Sequence, residues 1–265
     1  MLHASLIDLG EQASHCEDEA NARGVLREAL DLARNAADHN ADPIEVAAWL
    51  SQLVKDVLSS PAITSNARLA GAFGRKEGLP SSPLVLVDAD SHLVEFFQSA
   101  GYNAKAVELN DPHSIEAIIA RADLGEPLTR EEGKRLADYA LEHRPPALQV
   151  QDGLPSKESS VDIHADLIVP VVAMARWAAI DSGVCCSNTM VRLNEQTSLL
   201  AAETDSLREA WRTGMALQLA NWSDKIHVET YEEMSQIQRA QFGASARAVA
   251  DTIRAVADRL ANNSF

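Results

Sequence analysis

Apolar residues recur at helical spacing over the first 60 positions. Val25, Leu26, Ala29, Leu30, Ala33 and Ala36 form one face. Ile44, Ala47, Leu50, Leu53, Val54, Val57 and Leu58 form another, and Asp42-Pro43-Ile44-Glu45 reads as the start of that helix. It supplies an N-cap, a proline at the first helical position and an acid in the first turn. Ser59-Ser60-Pro61 ends it. From 66 to 110 the rhythm shortens. Leu69 to Gly71 and Leu84 to Val87 read as short buried strands bounded by Gly, Pro and Ser. His92 to Ala100 reads as a helix closed by Gly101, and Ala104 to Leu109 as a third strand. Residues 112–143 return to helix, with Thr129-Arg130-Glu131-Glu132 as a capping signature. Residues 144–160, with Pro145, Pro146, Gly153, Pro155 and a serine pair, read as a linker. Beyond it, Leu167 to Ile180 is apolar on nearly every face and closes at Gly183, with Ser187 as the next cap. Ser206 to Asn221 and Glu233 to Asn262 follow as helices. The pattern predicts an α+β fold, mostly helical. A small mixed sheet with a helical lead-in fills residues 1–150, and a helical bundle fills 151–265.

Charge and composition narrow the partners. The formal net charge of −16 argues against nucleic acid, whose backbone needs clustered Lys and Arg. No apolar run approaches the roughly 20 residues of a membrane span, and the opening MLHASLIDLGEQ lacks a signal-peptide pattern. Cys16, Cys185 and Cys186 are sparse and odd in number, so free thiols in a reducing cytoplasm are expected. No Cys/His set has zinc-ligand spacing, and no Ser-His-Asp grouping, Rossmann fingerprint or P-loop is present.

One segment changes this picture. Residues 71–85 read Gly-Ala-Phe-Gly-Arg-Lys-Glu-Gly-Leu-Pro-Ser-Ser-Pro-Leu-Val. Glycines let backbone amides approach phosphate oxygens that a Cβ would block. Between Val57 and Val87 the charged residues are Arg68, Arg75, Lys76 and Glu77, a cationic island in an acidic chain. Gly71, Gly74, Arg75, Lys76 and Ser82 are thus the candidate nucleotide or anion ligands. Asp88 and Asp90 follow the second strand at i, i+2 spacing, which puts both on one face if the strand continues. They read either as a metal pair or as caps of the helix starting near Ser91.

The run Gly-x-x-Gly-Arg-x-Glu-x-x-Pro-x-Ser resembles the loop of protein-PII uridylyltransferase-type nucleotidyltransferases, through Gly71, Gly74, Arg75, Glu77, Pro80 and Ser82. In that family a Ser-Asp-x-Asp strand follows and holds Mg²⁺ against a nucleoside triphosphate. Here Pro83 and Val85 stand at the two aspartate positions. The similarity extends to a bacterial branch with a C-terminal helical substrate-binding domain, through Val161-Asp162-Ile163, Leu167 to Val172, Ala175-Arg176 and Asn188-Thr189-x-x-Arg192-Leu193. Met234 to Leu260 is similar to its last long helix. The resemblance implies a nucleotidyltransferase-like protein that has lost its catalytic aspartates. It would act in regulation or scaffolding with a protein partner, with a homodimer as one option. The competing reading is an active enzyme using Mg²⁺, a nucleoside triphosphate, Asp88, Asp90 and Glu108 as a third carboxylate.

Other conspicuous residues have plainer roles available. Asp162, His164 and Asp166 suit a helix start. Arg176 and Arg192, inside apolar runs, suit buried pairing with an acid such as Asp181. Trp177, Trp211 and Trp222 suit a core.

Overall fold

The computed structural model describes residues 3–109, 111–147, 150, 151, 154, 155, 158–226, 228 and 230–262. The chain forms two compact units, residues 1–127 and 128–265. The first opens with three helices, α1 (Ala4–Ala13), α2 (Glu19–Asp38) and α3 (Pro43–Leu58). Asp18 caps α2 by accepting from the Asn21 amide at 2.8 Å, and Asp42 caps α3 by accepting from the Ile44 amide at 2.9 Å. The expected apolar faces point inward: Val25, Leu26, Ala29 and Ala33 of α2 are buried, as are Leu50, Leu53, Val54 and Val57 of α3.

The sheet follows. Strand β1 (Arg68–Ala70) leads into one helical turn, α4 (Gly71–Gly74), and then to β2 (Leu84–Val87). Helix α5 (Ser91–Ser99) crosses to β3 (Ala104–Val107). The order is β1-β2-β3: β1 runs antiparallel to β2, with Ala70 opposite Val85, and β3 runs parallel to β2, with Leu84 opposite Ala104. A parallel neighbour needs a crossover connection, and α5 supplies it. Helix α6 (Ile115–Asp123) closes the unit, and its Ala120 joins Ala70 and Val87 in a small core.

The second unit begins with α7 (Arg130–Glu142), whose capping box joins Thr129 and Glu132 reciprocally. Strands β4 (Val150–Gln151) and β5 (Leu154–Pro155) pair antiparallel within the segment expected as a linker. Gly153, one of the residues behind that expectation, lies outside the described residues. The units divide at 127/128, not within 144–160, because α7 packs on helix α8 (Val169–Asp181). A π-helical turn, His164–Ile168, precedes α8. The Val169 amide reaches back to the His164 carbonyl, and the next residue, Pro170, has no N–H to donate. Residues 170–179 of α8 are all buried, as expected of a helix apolar all round. Asn188, one residue after the expected Ser187, caps α9 (Thr189–Glu195) by accepting from the Val191 amide at 3.1 Å. Helix α10 (Ala201–Ser223) and helix α11 (Gln236–Asn262) complete the bundle. Leu167, Leu217, Met234, Phe242 and Ala246 share one core cluster. Among the described residues no helix is long and apolar enough to cross a membrane.

Candidate functional site

The glycine turn joins two neighbouring strands, and its glycines have packing reasons to be there. Gly71 sits at φ +62°, in the left-handed region, and a Cβ on it would meet Val85 Cγ2 at 2.9 Å. A Cβ on Gly74 would lie 2.4 Å from the Leu69 carbonyl oxygen. That neighbour is backbone, so nothing nearby can yield easily. Glycine is required here before any ligand is considered.

From Arg75 to Leu79 the amides of the turn are bonded within the chain. Arg75 N–H donates to Gly71 O at 3.1 Å, Lys76 N–H to Phe73 O at 3.1 Å and Glu77 N–H to Ala72 O at 2.8 Å. Gly78 N–H donates to Ser51 Oγ at 2.9 Å and Leu79 N–H to Ser82 Oγ at 3.1 Å. Ser82, expected to touch a ligand, is buried and holds the turn from inside. Arg75 is buried too. Its Nε donates to Glu77 at 2.9 Å and its Nη1 to Asp123 at 2.7 Å. Burial disfavours the guanidinium charge, but Asp123 and Glu77 outweigh it and hold the pKa up. The expected anion ligand is thus committed to two carboxylates of its own unit. Lys76 is exposed, at φ +63°.

The carboxylates after β2 are engaged as well. Asp88 accepts from Arg68 Nη2 at 3.0 Å, and Arg68 Nη1 reaches Glu126 at 2.8 Å. Asp90 caps α5, accepting from the Leu93 amide at 2.8 Å. Glu108 is exposed just beyond β3. Among the described residues no three His, Cys, Asp or Glu side chains come together as a metal ion would require. A Mg²⁺–triphosphate centre needs convergent carboxylate oxygens. The residues present do not fit one: Pro83 offers no ligand, Val85 is apolar, Asp88 is paired and Asp90 is a cap.

The second unit carries a different feature. A pocket of about 840 Å³ opens between α7 and α8, bordered by Leu260 of α11. Gly133, Ala137, Trp177 and Ile180 line its apolar part, and Arg130, Glu131, Lys134, Asp138 and Asp181 its polar part. This size and mixture suit a ligand groove. Gly133 helps set its width, because a Cβ there would lie 3.1 Å from Ile180 Cγ2.

Residues 132–260 match the family model described as "Putative nucleotidyltransferase substrate binding domain". The match spans just under half of the chain and covers most of the groove's lining. It makes the second unit similar to a nucleotidyltransferase-associated helical domain. No curated protein matches the chain.

The remaining candidates are placed as follows. Asp162 accepts from the Ala165 amide at 2.9 Å, and Asp166 accepts from the Asp162 amide at 3.0 Å, at the start of the π turn. Gln218 donates to His164 at 3.2 Å. Arg176 and Arg192 are buried, and Arg192 Nε donates to the Cys186 carbonyl at 2.8 Å. Asp181 accepts from Ser198 Oγ at 2.5 Å. Trp211 is a core residue, Trp177 lines the groove and Trp222 is half-buried. The three cysteines are free thiols. Sequence reasoning missed Ser51, Asp123 and the groove. Asp123 had a signal, an acid in register with the apolar stripe of α6. The groove had none, because its residues are spread over more than 130 positions.

Proposed function

We propose that this is a nucleotidyltransferase-like protein of the protein-PII uridylyltransferase type whose transferase half is catalytically degenerate. It serves a regulatory or scaffolding role, and its α7–α8 groove engages the substrate or protein partner. The closed glycine turn carries the reading: its amides from Arg75 to Leu79, and the Arg75 guanidinium, already have partners in the chain. A triphosphate seated on the amides from Arg75 to Leu79 or on the Arg75 guanidinium would have to break those bonds, and Pro83 and Val85 would give its metal no ligand. Residual anion binding at Gly71, Gly74, Lys76 and Ser82 is therefore expected to be weak. Losing an electrostatic clamp of this kind raises a barrier by several kcal/mol, about a thousandfold or more in rate.

The test is nucleotidyl transfer from each of the four ribonucleoside triphosphates, with nucleotide binding measured with and without Mg²⁺. No transfer, and at most weak Mg²⁺-independent binding, is expected. Robust Mg²⁺-dependent transfer that disappears in an Asp88→Ala, Asp90→Ala double variant would establish the competing reading of an active enzyme.

A further inference from the structure

The groove between α7 and α8 holds a donor and two cations that the fold leaves unused. Trp177 lines it and is otherwise buried, with 6% of its surface exposed. Its one polar group, the indole N–H, has no acceptor among the described residues. The Trp211 N–H is also unpaired but is sealed in the core, whereas that of Trp177 is not sealed. A ligand acceptor entering the groove can therefore meet a donor that costs no internal bond to engage.

Arg130 and Lys134 line the same groove, and neither pairs with an acid among the described residues. They stand at i, i+4 on α7, close enough to grip one anion together. At 3.6 residues per turn they lie about 20° and 60° round the helix from Ala137, a buried residue of the apolar bed. Asp138 and Glu131 lie about 100° and 120° from it, nearer the rim. Asp181, on the facing helix, already accepts from Ser198 Oγ. An anion resting on the bed thus meets the two cations before the rim acids. Those three carboxylates still make a doubly charged phosphate a poorer match than a single carboxylate. The volume of about 840 Å³ suits a small molecule.

We propose that the groove binds a small organic carboxylate with an apolar body, an inference that rests on the groove being the engaging surface of the proposed function. The carboxylate lies between Arg130 and Lys134 and accepts from the Trp177 N–H, and the body covers Ala137 and Ile180. The probe is 3-phenylpropionate, titrated calorimetrically into the full chain beside 3-phenylpropylamine, 3-phenylpropanol and inorganic phosphate. Saturable binding of the carboxylate is expected, about tenfold tighter than that of the other three. The Arg130→Gln, Lys134→Gln double variant, altered only at exposed positions, should bind it about tenfold more weakly. In NMR spectra of the unsubstituted protein, shifts should gather in residues 128–138 and 177–183 and include the Trp177 indole resonance. Absent saturation, equal binding of the amine, alcohol or phosphate, undiminished binding by the double variant, or an unmoved Trp177 indole would overturn the proposal. Nucleotidyl transfer by the chain would sink the degenerate-transferase reading and leave this binding standing, so the two failures are distinguishable.

Discussion

The turn from Gly71 to Leu79 and the groove walled by α7 and α8 use polar groups in opposite ways. In the turn, five successive amides and a buried guanidinium are bonded within the chain. At the groove, Arg130, Glu131, Lys134 and Asp138 are exposed around an apolar bed. Read as a string of residues, the turn resembles a phosphate site, whereas the groove has no signature at all. The contrast teaches that a glycine motif has two independent physical causes. One is ligand approach; the other is close packing of the chain on itself. Gly74 under the Leu69 carbonyl is sufficient reason for a glycine there, with or without a ligand.

The largest expected effect separates the two regions by stability. Arg75→Ala removes the guanidinium that Glu77 and Asp123 accept from, and their side chains are 3% and 0% exposed. Breaking a buried ion pair by removing one partner costs about 3–5 kcal/mol. Arg130→Ala and Lys134→Ala, on an exposed helix face, should each change stability by less than about 0.5 kcal/mol. Urea unfolding checks both. An Arg75→Ala protein of normal stability that had merely lost pyrophosphate binding would turn the turn back into an anion site.

How far the sequence was readable depends on how local each cause is. Strand β2 was expected at Leu84 to Val87 and lies there, because a short apolar run between Pro83 and Asp88 has few alternatives. Asp42 and Thr129 cap the helices they were expected to start, since a cap reads only the next few amides. The helix at Leu167 to Ile180 begins instead with a π turn, an effect of Pro170 that apolar periodicity does not record. The fate of Arg75 was not readable at all. Its partner Asp123 lies 48 positions away, brought near by the packing of α6. The groove was unreadable for the same reason, being a shape made by two helices.

The next contrast uses one methyl group. Gly74→Ala forces a Cβ against the Leu69 carbonyl, and overpacking of that kind costs about 1–3 kcal/mol. Gly133→Ala meets only a methyl of Ile180 at 3.1 Å, which can shift. Helical alanine also gains about 0.5–1 kcal/mol over glycine, so the net change should be near zero. Thermal melts of the two variants sharpen the distinction between a glycine required by backbone and one that tunes a groove. Equal losses would erase it.

A smaller effect is expected at Asp88. Asparagine tolerates its left-handed φ of +61°, so Asp88→Asn removes the Arg68 ion pair with little strain. Both side chains are about half exposed, and such pairs contribute roughly 0.2–1 kcal/mol. The loss should shrink further in high salt. Mg²⁺ titration should be unchanged by the substitution. A clear fall in Mg²⁺ affinity would instead mark Asp88 as a metal ligand.

An effect of similar size, but dependent on pH, is expected in the second unit, which has its own arginine–carboxylate contact to set beside the Arg75 cluster. Arg259 on α11 holds Glu203 on α10 through both Nη atoms, the Nη2 contact at 2.8 Å, and Glu203 also accepts from the Leu200 amide at 2.9 Å. Burial pushes the Glu203 pKa up, but the Arg259 fork and the Leu200 amide outweigh it, so the folded value lies below the ordinary one. A carboxylate with a depressed folded pKa adds stability above its unfolded pKa. That contribution disappears as pH falls through the folded pKa. Arg259 is one-third exposed, so solvent screening holds the contribution to about 1 kcal/mol at neutral pH. Glu203→Gln keeps an acceptor for the Leu200 amide and removes only the charge. Its deficit against the unsubstituted protein, read from urea midpoints, should be largest at neutral pH and close to zero near pH 3. A deficit that stays constant with pH would mean that shape rather than charge joins α10 to α11. The charged contact in the second unit would then lose its claim to a role like that of the buried cluster in the first.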